Sequence, residues 1–170
     1  MSSLFRQILI ALCCSSPLIA KSPGSISFAT GVYDLLRERH RTWEFEIEYK
    51  FHFQHRTLPR YLEVRPLLGV MTTLERSVYA YLGLNFDLLF FNHFLIAPGF
   101  AAGYYAQGHG KNLGYPIEFR SGIEMAWQFA DARRLGAHFY HLSNASLGKR
   151  NPGEESLVLF YDIPVNELFH

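Results

Sequence analysis

Residues 42–54 read TWEFEIEYKFHFQ, with an aromatic or aliphatic side chain at nearly every second position. Trp43, Phe45, Ile47, Tyr49, Phe51 and Phe53 fall on one side of an extended chain; Glu44, Glu46, Glu48, Lys50, His52 and Gln54 fall on the other. Successive side chains of a strand point to opposite faces, so this stretch predicts a strand with one apolar and one charged surface. The fold turns on which of the two surfaces looks inward.

The same alternation recurs at residues 25–34, 61–71, 77–89, 93–105, 115–129, about 134–143 and about 155–165. Turn-rich pieces such as QGHGKNLG (107–114) and NASLGKRNPG (144–153) separate these segments. No stretch shows a helical period of useful length, and no linker or low-complexity tract divides the chain. The expectation is eight strands in a single domain.

The first twenty residues stand apart. Arg6 is followed by an apolar run from Ile8 to Cys14, then Ser15, Ser16 and Pro17, and then Leu18-Ile19-Ala20 before Lys21. That layout predicts a secretory signal peptide over residues 1–20, cleaved after Ala20, with residues 21–170 forming the folded domain. The run is shorter than the ~20 apolar residues of a spanning helix. The only two cysteines, Cys13 and Cys14, lie here. Leu12 is bulky where a small residue normally precedes an acylated cysteine, so the segment reads as a signal peptide rather than a lipoprotein anchor. The mature chain is expected to hold no disulfide and no Cys-ligated metal. A formal net charge of +1 over 170 residues offers no basic excess for nucleic acid.

Eight amphipathic strands behind a signal peptide fit two architectures. A soluble sandwich buries its apolar faces, whereas an outer-membrane barrel turns an apolar band toward lipid and keeps polar residues within. Three observations select the eight-stranded antiparallel transmembrane β-barrel. The polar faces carry small residues and compensating charges (Glu46, Lys50, Glu63, Arg65, Glu118, Arg120), as a narrow filled lumen requires. Aromatic residues make up 16% of the chain, enough to supply interfacial girdles. An exported chain this apolar and without disulfides needs lipid to cover it, and closure removes the sheet edges that lipid forbids. The charged face of TWEFEIEYKFHFQ is therefore expected to look inward, with Glu46, Glu63 and Arg120 in the lumen. Pro66 and Pro98 fall inside strands, where bulges are expected to absorb the missing N–H groups.

A filled barrel of this size is no pore, so function must lie on the loops or the outer wall. In the segment 138–165, His141 and Ser143 share a strand face, their Cα atoms ~6–7 Å apart along the chain. That face also carries Leu135, Ala137 and Phe139, which makes it the lipid side; by the same parity Glu155, Leu157 and Leu159 face lipid from the last strand. Polar groups in hydrocarbon cost free energy. Spacing alone leaves two readings open: loop-flanking residues in the headgroup zone, or a catalytic group. With both termini periplasmic, the strand of His141 and Ser143 ends at the cell surface, level with the outer leaflet.

The quartet H-L-S-N at 141–144, followed by N-P-G-E-E at 151–155, resembles the signature of the PagL-type lipid A 3-O-deacylases, eight-stranded outer-membrane barrels that remove an ester-linked acyl chain from lipid A. The family pattern H-x-S-N, then N-x-G-x-E, is met by His141, Ser143, Asn144, Asn151, Gly153 and Glu155. The close likeness covers about the last thirty residues. It implies Ser143 as nucleophile, His141 as general base, Glu155 as the group that orients the imidazole and Asn144 as an aid to the oxyanion, with Asn151 and Gly153 as motif support. It implies no metal and no cofactor, lipid A or lipopolysaccharide of the outer leaflet as partner, and residence in the bacterial outer membrane. The oligomeric state, a homodimer included, stays open.

Glu154 competes as the acid, but its parity points it into the barrel. Ser146 competes as nucleophile from within the loop, outside the motif. Arg37, Arg39, Arg41, Lys149 and Arg150 are loop cations available to lipid A phosphates, although the opposite turns are also basic (Arg56, Arg60, Arg133, Arg134). Two rival functions remain: an acyl-ester hydrolase acting on phospholipid by the same chemistry, and a non-enzymatic small barrel. The residues NELFH follow the last strand, leaving its end and the role of Phe169 open.

Overall fold

The computed structural model describes residues 24–52 and 62–168. The signal peptide with Cys13 and Cys14, the positions Phe53, Gln54, Arg56, Arg60 and Tyr61, and Phe169 lie outside the described residues. Eight strands run in order: β1 (Ser25–Tyr33), β2 (Thr42–Lys50), β3 (Leu62–Thr73), β4 (Val78–Phe90), β5 (Phe94–Ala106), β6 (Ile117–Gln128), β7 (Arg134–Ser143) and β8 (Glu154–Pro164). A short helix, α1 (Val165–Leu168), follows. Each strand pairs antiparallel with the next, and β8 pairs with β1, from Ser25↔Pro164 to Val32↔Leu157, so the sheet closes into a barrel.

Period-two patterning sets the inside and the outside. On β2, Glu44, Glu46, Glu48 and Lys50 are buried, while Trp43, Phe45 and Ile47 are exposed on the outer wall. Arg120 and Glu46 lie in the lumen as expected, and Glu63 shares the lumen parity of Arg65 near the rim that holds the termini, where it accepts from His52 Nδ1 at 3.0 Å. The exposed set on the outside is a hydrocarbon-facing surface: Phe28, Leu68, Val70, Leu82, Phe100, Ile123, Met125, Leu135, Phe139, Leu157 and Leu159.

Charges removed from water must pair. Lys50 Nζ lies 2.9 Å from Glu124 and 3.3 Å from Asp162; Arg120 bridges Glu46 and Glu48; Arg134 meets Asp87. Tyrosines complete the packing. Tyr81 donates to Glu48 at 2.8 Å, and the Tyr140 hydroxyl lies between Glu44 and Glu46, 2.8 and 2.7 Å from their carboxyl oxygens. The lumen is thus a polar core that fixes the cross-section of the barrel.

The prolines are accommodated without the expected bulges. The β3–β4 register runs unbroken from Leu62↔Leu88 to Thr72↔Val78 through Pro66↔Leu84. Pro66 accepts from Phe51 N at 2.8 Å, so its N side also faces β2, at the point where that strand ends. Opposite Ala97 and Pro98 the β4–β5 ladder skips Phe86 and Asp87 and resumes in the same register. A gap in hydrogen bonding costs less here than a bulge that would turn every later side chain to the wrong face.

Candidate active site

The site forms where β7 and β8 reach the distal rim, the end of the barrel away from the termini. The β7–β8 register places His141 directly across from Glu155. Both side chains point outward, and His141 Nδ1 meets Glu155 Oε1 at 3.1 Å. With Nδ1–H donating to the carboxylate, Nε2 is left as the acceptor. The His141 side chain is 41% exposed and that of Glu155 16%, so the pair is reachable from outside yet partly shielded from water.

Ser143 is the last residue of β7 and shares the outward face of His141. The register that pairs Leu142 with Glu154 brings Gly153 opposite Ser143. A Cβ added to Gly153 would stand 2.7 Å from Cε1 and 3.2 Å from Nε2 of His141. The Cε1–Nε2 edge of the imidazole therefore leans toward the level of Ser143. Gly153 also has φ +59°, a conformation that side chains other than glycine adopt at a cost. Two independent constraints thus call for glycine at this position.

Glu154 points the other way. It is buried in the lumen, where its Oε2 accepts from Asp34 N at 3.2 Å and from Ser156 Oγ at 3.0 Å. Asn144 is buried too. Its Nδ2 donates to the carbonyls of Leu113 and Arg150, each at 2.8 Å, while its backbone N donates to Asn151 Oδ1 at 3.0 Å. Both amide hydrogens of Asn144 are therefore engaged with loop carbonyls, and the side chain ties together the 107–116 and 144–153 loops. Asn151 is exposed, anchored by Oδ1, and its Nδ2 has no partner among the described residues. Ser146 lies exposed in the loop with φ +65°.

Two features escape sequence reading because they depend on which strands become neighbours. Ser121 of β6 pairs across from His141 on the opposite side from Glu155 and is exposed on the outer wall, a second hydroxyl beside the imidazole. Arg37, in the loop between β1 and β2, lies 3.5 Å from Glu155 Oε2 and donates to Gly153 O at 3.2 Å. Parity of β6 counted against β7 signals the first; no local pattern signals the second. No cluster suited to holding a metal ion is found among the described residues.

Comparisons with known proteins bear on the family and the fold. A family model described as lipid A 3-O-deacylase (PagL) matches residues 28–164. Lipid A deacylase PagL of Pseudomonas aeruginosa is 40% identical over 55 residues, a stretch that spans 32% of this chain and 32% of that protein. The crystal structure of the outer membrane enzyme PagL superposes with a TM-score of 0.72 and 21% identity, covering 83% of this chain and 99% of the other; at that identity the likeness is one of fold. With all eight strands inside the matched region, this outer-membrane barrel belongs to the lipid A 3-O-deacylase (PagL) family.

Proposed function

We propose that this protein is a carboxylic ester hydrolase that removes the acyl chain at the 3-position of lipid A, with Ser143, His141 and Glu155 as its triad. The observation that carries the reading is the His141–Glu155 pair at 3.1 Å on the lipid-facing wall, two rungs from Ser143 and on the same face. A buried lumen pair would serve packing; a half-exposed pair beside a hydroxyl at the hydrocarbon boundary meets an ester where its acyl chain begins.

The chemistry follows the logic of any serine–histidine–acid group. Glu155 holds the tautomer with the proton on Nδ1, so Nε2 takes the proton of Ser143 as Oγ bonds to the acyl carbon. The tetrahedral intermediate collapses as Nε2 returns that proton to the departing sugar oxygen. Water then attacks the acyl-serine with His141 again as base, releasing the fatty acid. The developing oxyanion needs a donor. Asn144 fits that role poorly in this geometry because both its Nδ2 hydrogens are engaged, so we assign it to holding the loops and assign the donor to Asn151, whose Nδ2 is unengaged. No step calls for a metal or cofactor.

The distal rim is then the extracellular one, with the substrate drawn from the outer leaflet. Mass spectrometry of lipid A from cells expressing the protein is expected to show loss of one ester-linked acyl chain, with Ser143→Ala leaving lipid A intact. An unchanged acyl pattern with lysophospholipid appearing instead would transfer the reading to a phospholipase of the same mechanism. Silence on both lipids from a folded barrel would leave a non-enzymatic protein. A cysteine placed at Gly148 is expected to label in intact cells, and protection there would invert the topology.

A further inference from the structure

Glu155 has two carboxylate oxygens, and orienting the imidazole uses one of them. Oε2 faces Arg37, whose Nη1 stands 3.5 Å away, 3.2 Å from Gly153 O and 3.6 Å from Asp34 Oδ1. Asp34 is fully buried, its backbone N donates to Glu154, and its Oδ1 takes the ammonium of Lys111. Lys111 is itself buried, in the loop whose Leu113 joins the buried cluster of Tyr33 and Leu142. Charge alternates in sign along the path from the lumen toward His141: Lys111, Asp34, Arg37, Glu155.

We propose that Arg37 is a positioning residue for the ester cleavage, fixing Glu155 against His141, with Asp34 and Lys111 holding Arg37 in place. The inference rests on the triad reading above and adds a member to it. An isolated exposed arginine contributes little through ion pairing. Arg37 differs because three oxygens from two stretches of chain, Asp34 and residues 153–155, converge on one nitrogen, and because buried Asp34 cannot move away. Its backbone is tied as well: Arg37 N donates to Asp34 O at 3.1 Å, and Leu35 N donates to Glu155 O at 2.7 Å. The loop that carries the guanidinium and the strand that carries the acid are therefore stitched to each other. A carboxylate with a single hydrogen bond to a neutral imidazole can turn away by side-chain rotation; a second anchor on Oε2 removes that freedom. Small misplacements of catalytic groups are costly in rate. The competing role for Arg37 is contact with a lipid A phosphate, and the test separates the two.

The whole barrel, refolded in detergent with folding checked by heat-modifiable mobility, is assayed in two ways: cleavage of lipid A, and labelling of Ser143 by a fluorophosphonate that carries no sugar phosphate. Arg37→Ala is expected to slow both about tenfold with KM for lipid A unchanged. Arg37→Lys should recover part of the loss, and in a Glu155→Ala background Arg37→Ala should add nothing, because groups acting as a unit are not additive. A raised KM with labelling at the wild-type rate would overturn the proposal in favour of phosphate binding, as would losses that multiply with Glu155→Ala. A wild-type barrel that neither labels nor cleaves removes the esterase reading and this inference with it. One that labels without cleaving lipid A changes only the substrate, and the labelling rates still decide the role of Arg37.

Discussion

His138 and His141 stand three residues apart on β7, on opposite sides of one wall. His138 is 5% exposed, faces the lumen and packs against Tyr140, the rings 5.0 Å apart. Its surroundings hold Arg120, Glu48 and Lys50, whose charges are paired among themselves. His141 is open to the outside, with a carboxylate on one ring nitrogen and hydroxyls nearby. Burial makes the first a packing residue, and partial exposure makes the second available to a substrate. Inside the barrel polar groups pair with one another; outside it, at one rim, they stay open to contact from the membrane.

Substitutions on either side of the wall test that contrast. The largest effect is expected from Ser143→Ala, a loss of turnover on the order of 10⁶-fold with heat-modifiable folding retained, since triad nucleophiles act as part of a unit. An unfolded variant would place Ser143 among the structural groups instead. Glu155→Ala should cost less, about 10⁴-fold, because the carboxylate orients rather than reacts; equal losses would require a direct part in proton transfer. Arg120→Met works on the other side of the wall. It strands Glu46 and Glu48 without their shared cation, and breaking a buried pair in this way costs roughly 3–5 kcal/mol, read as a lower midpoint of unfolding in detergent. Turnover per folded barrel should barely move, and a large drop there would show that lumen and outer wall are coupled.

Glu154→Gln, beside Glu155 but facing inward, disturbs the acceptor for Asp34 N and Ser156 Oγ. A loss of about 1 kcal/mol in stability is expected, with turnover within roughly threefold of wild type. If Glu154→Gln abolished turnover while Glu155→Ala spared it, the outward acid would be wrongly assigned. The smallest change is expected from Ser121→Ala. Its hydroxyl neighbours His141 but lacks the strand-end position of Ser143, so kinetics of lipid A cleavage should stay within about twofold, an effect near the limit of ordinary surface changes. A collapse of activity there would move the nucleophile to β6.

Much of this was legible in the residues because a strand has a period of two. Once TWEFEIEYKFHFQ is read as a wall with charges inward, the side taken by His141, Glu155 and Glu154 follows by counting, and the β7–β8 pairing agrees with the count. Most strand limits drift by no more than two residues, and β2 stops at Lys50, four short of Gln54, because hydrogen bonding, rather than hydropathy, ends a strand. Pro66 and Pro98 resisted sequence reading for a similar reason: the pattern shows a missing donor but not which neighbour it faces.

Read alone, the residues settled the barrel, its inside and outside, and the outward face shared by His141, Ser143 and Glu155, since alternation is local and a one-residue slip would turn every side chain over. Tertiary structure alone decided what lies across from what. Ser121 beside His141, Arg37 on Glu155, Lys111 on Asp34 and the commitment of Asn144 to Leu113 and Arg150 join residues from 6 to 118 positions apart. Closure of the sheet and folding of the distal loops create those meetings, and no local pattern of side chains encodes a distance around a ring.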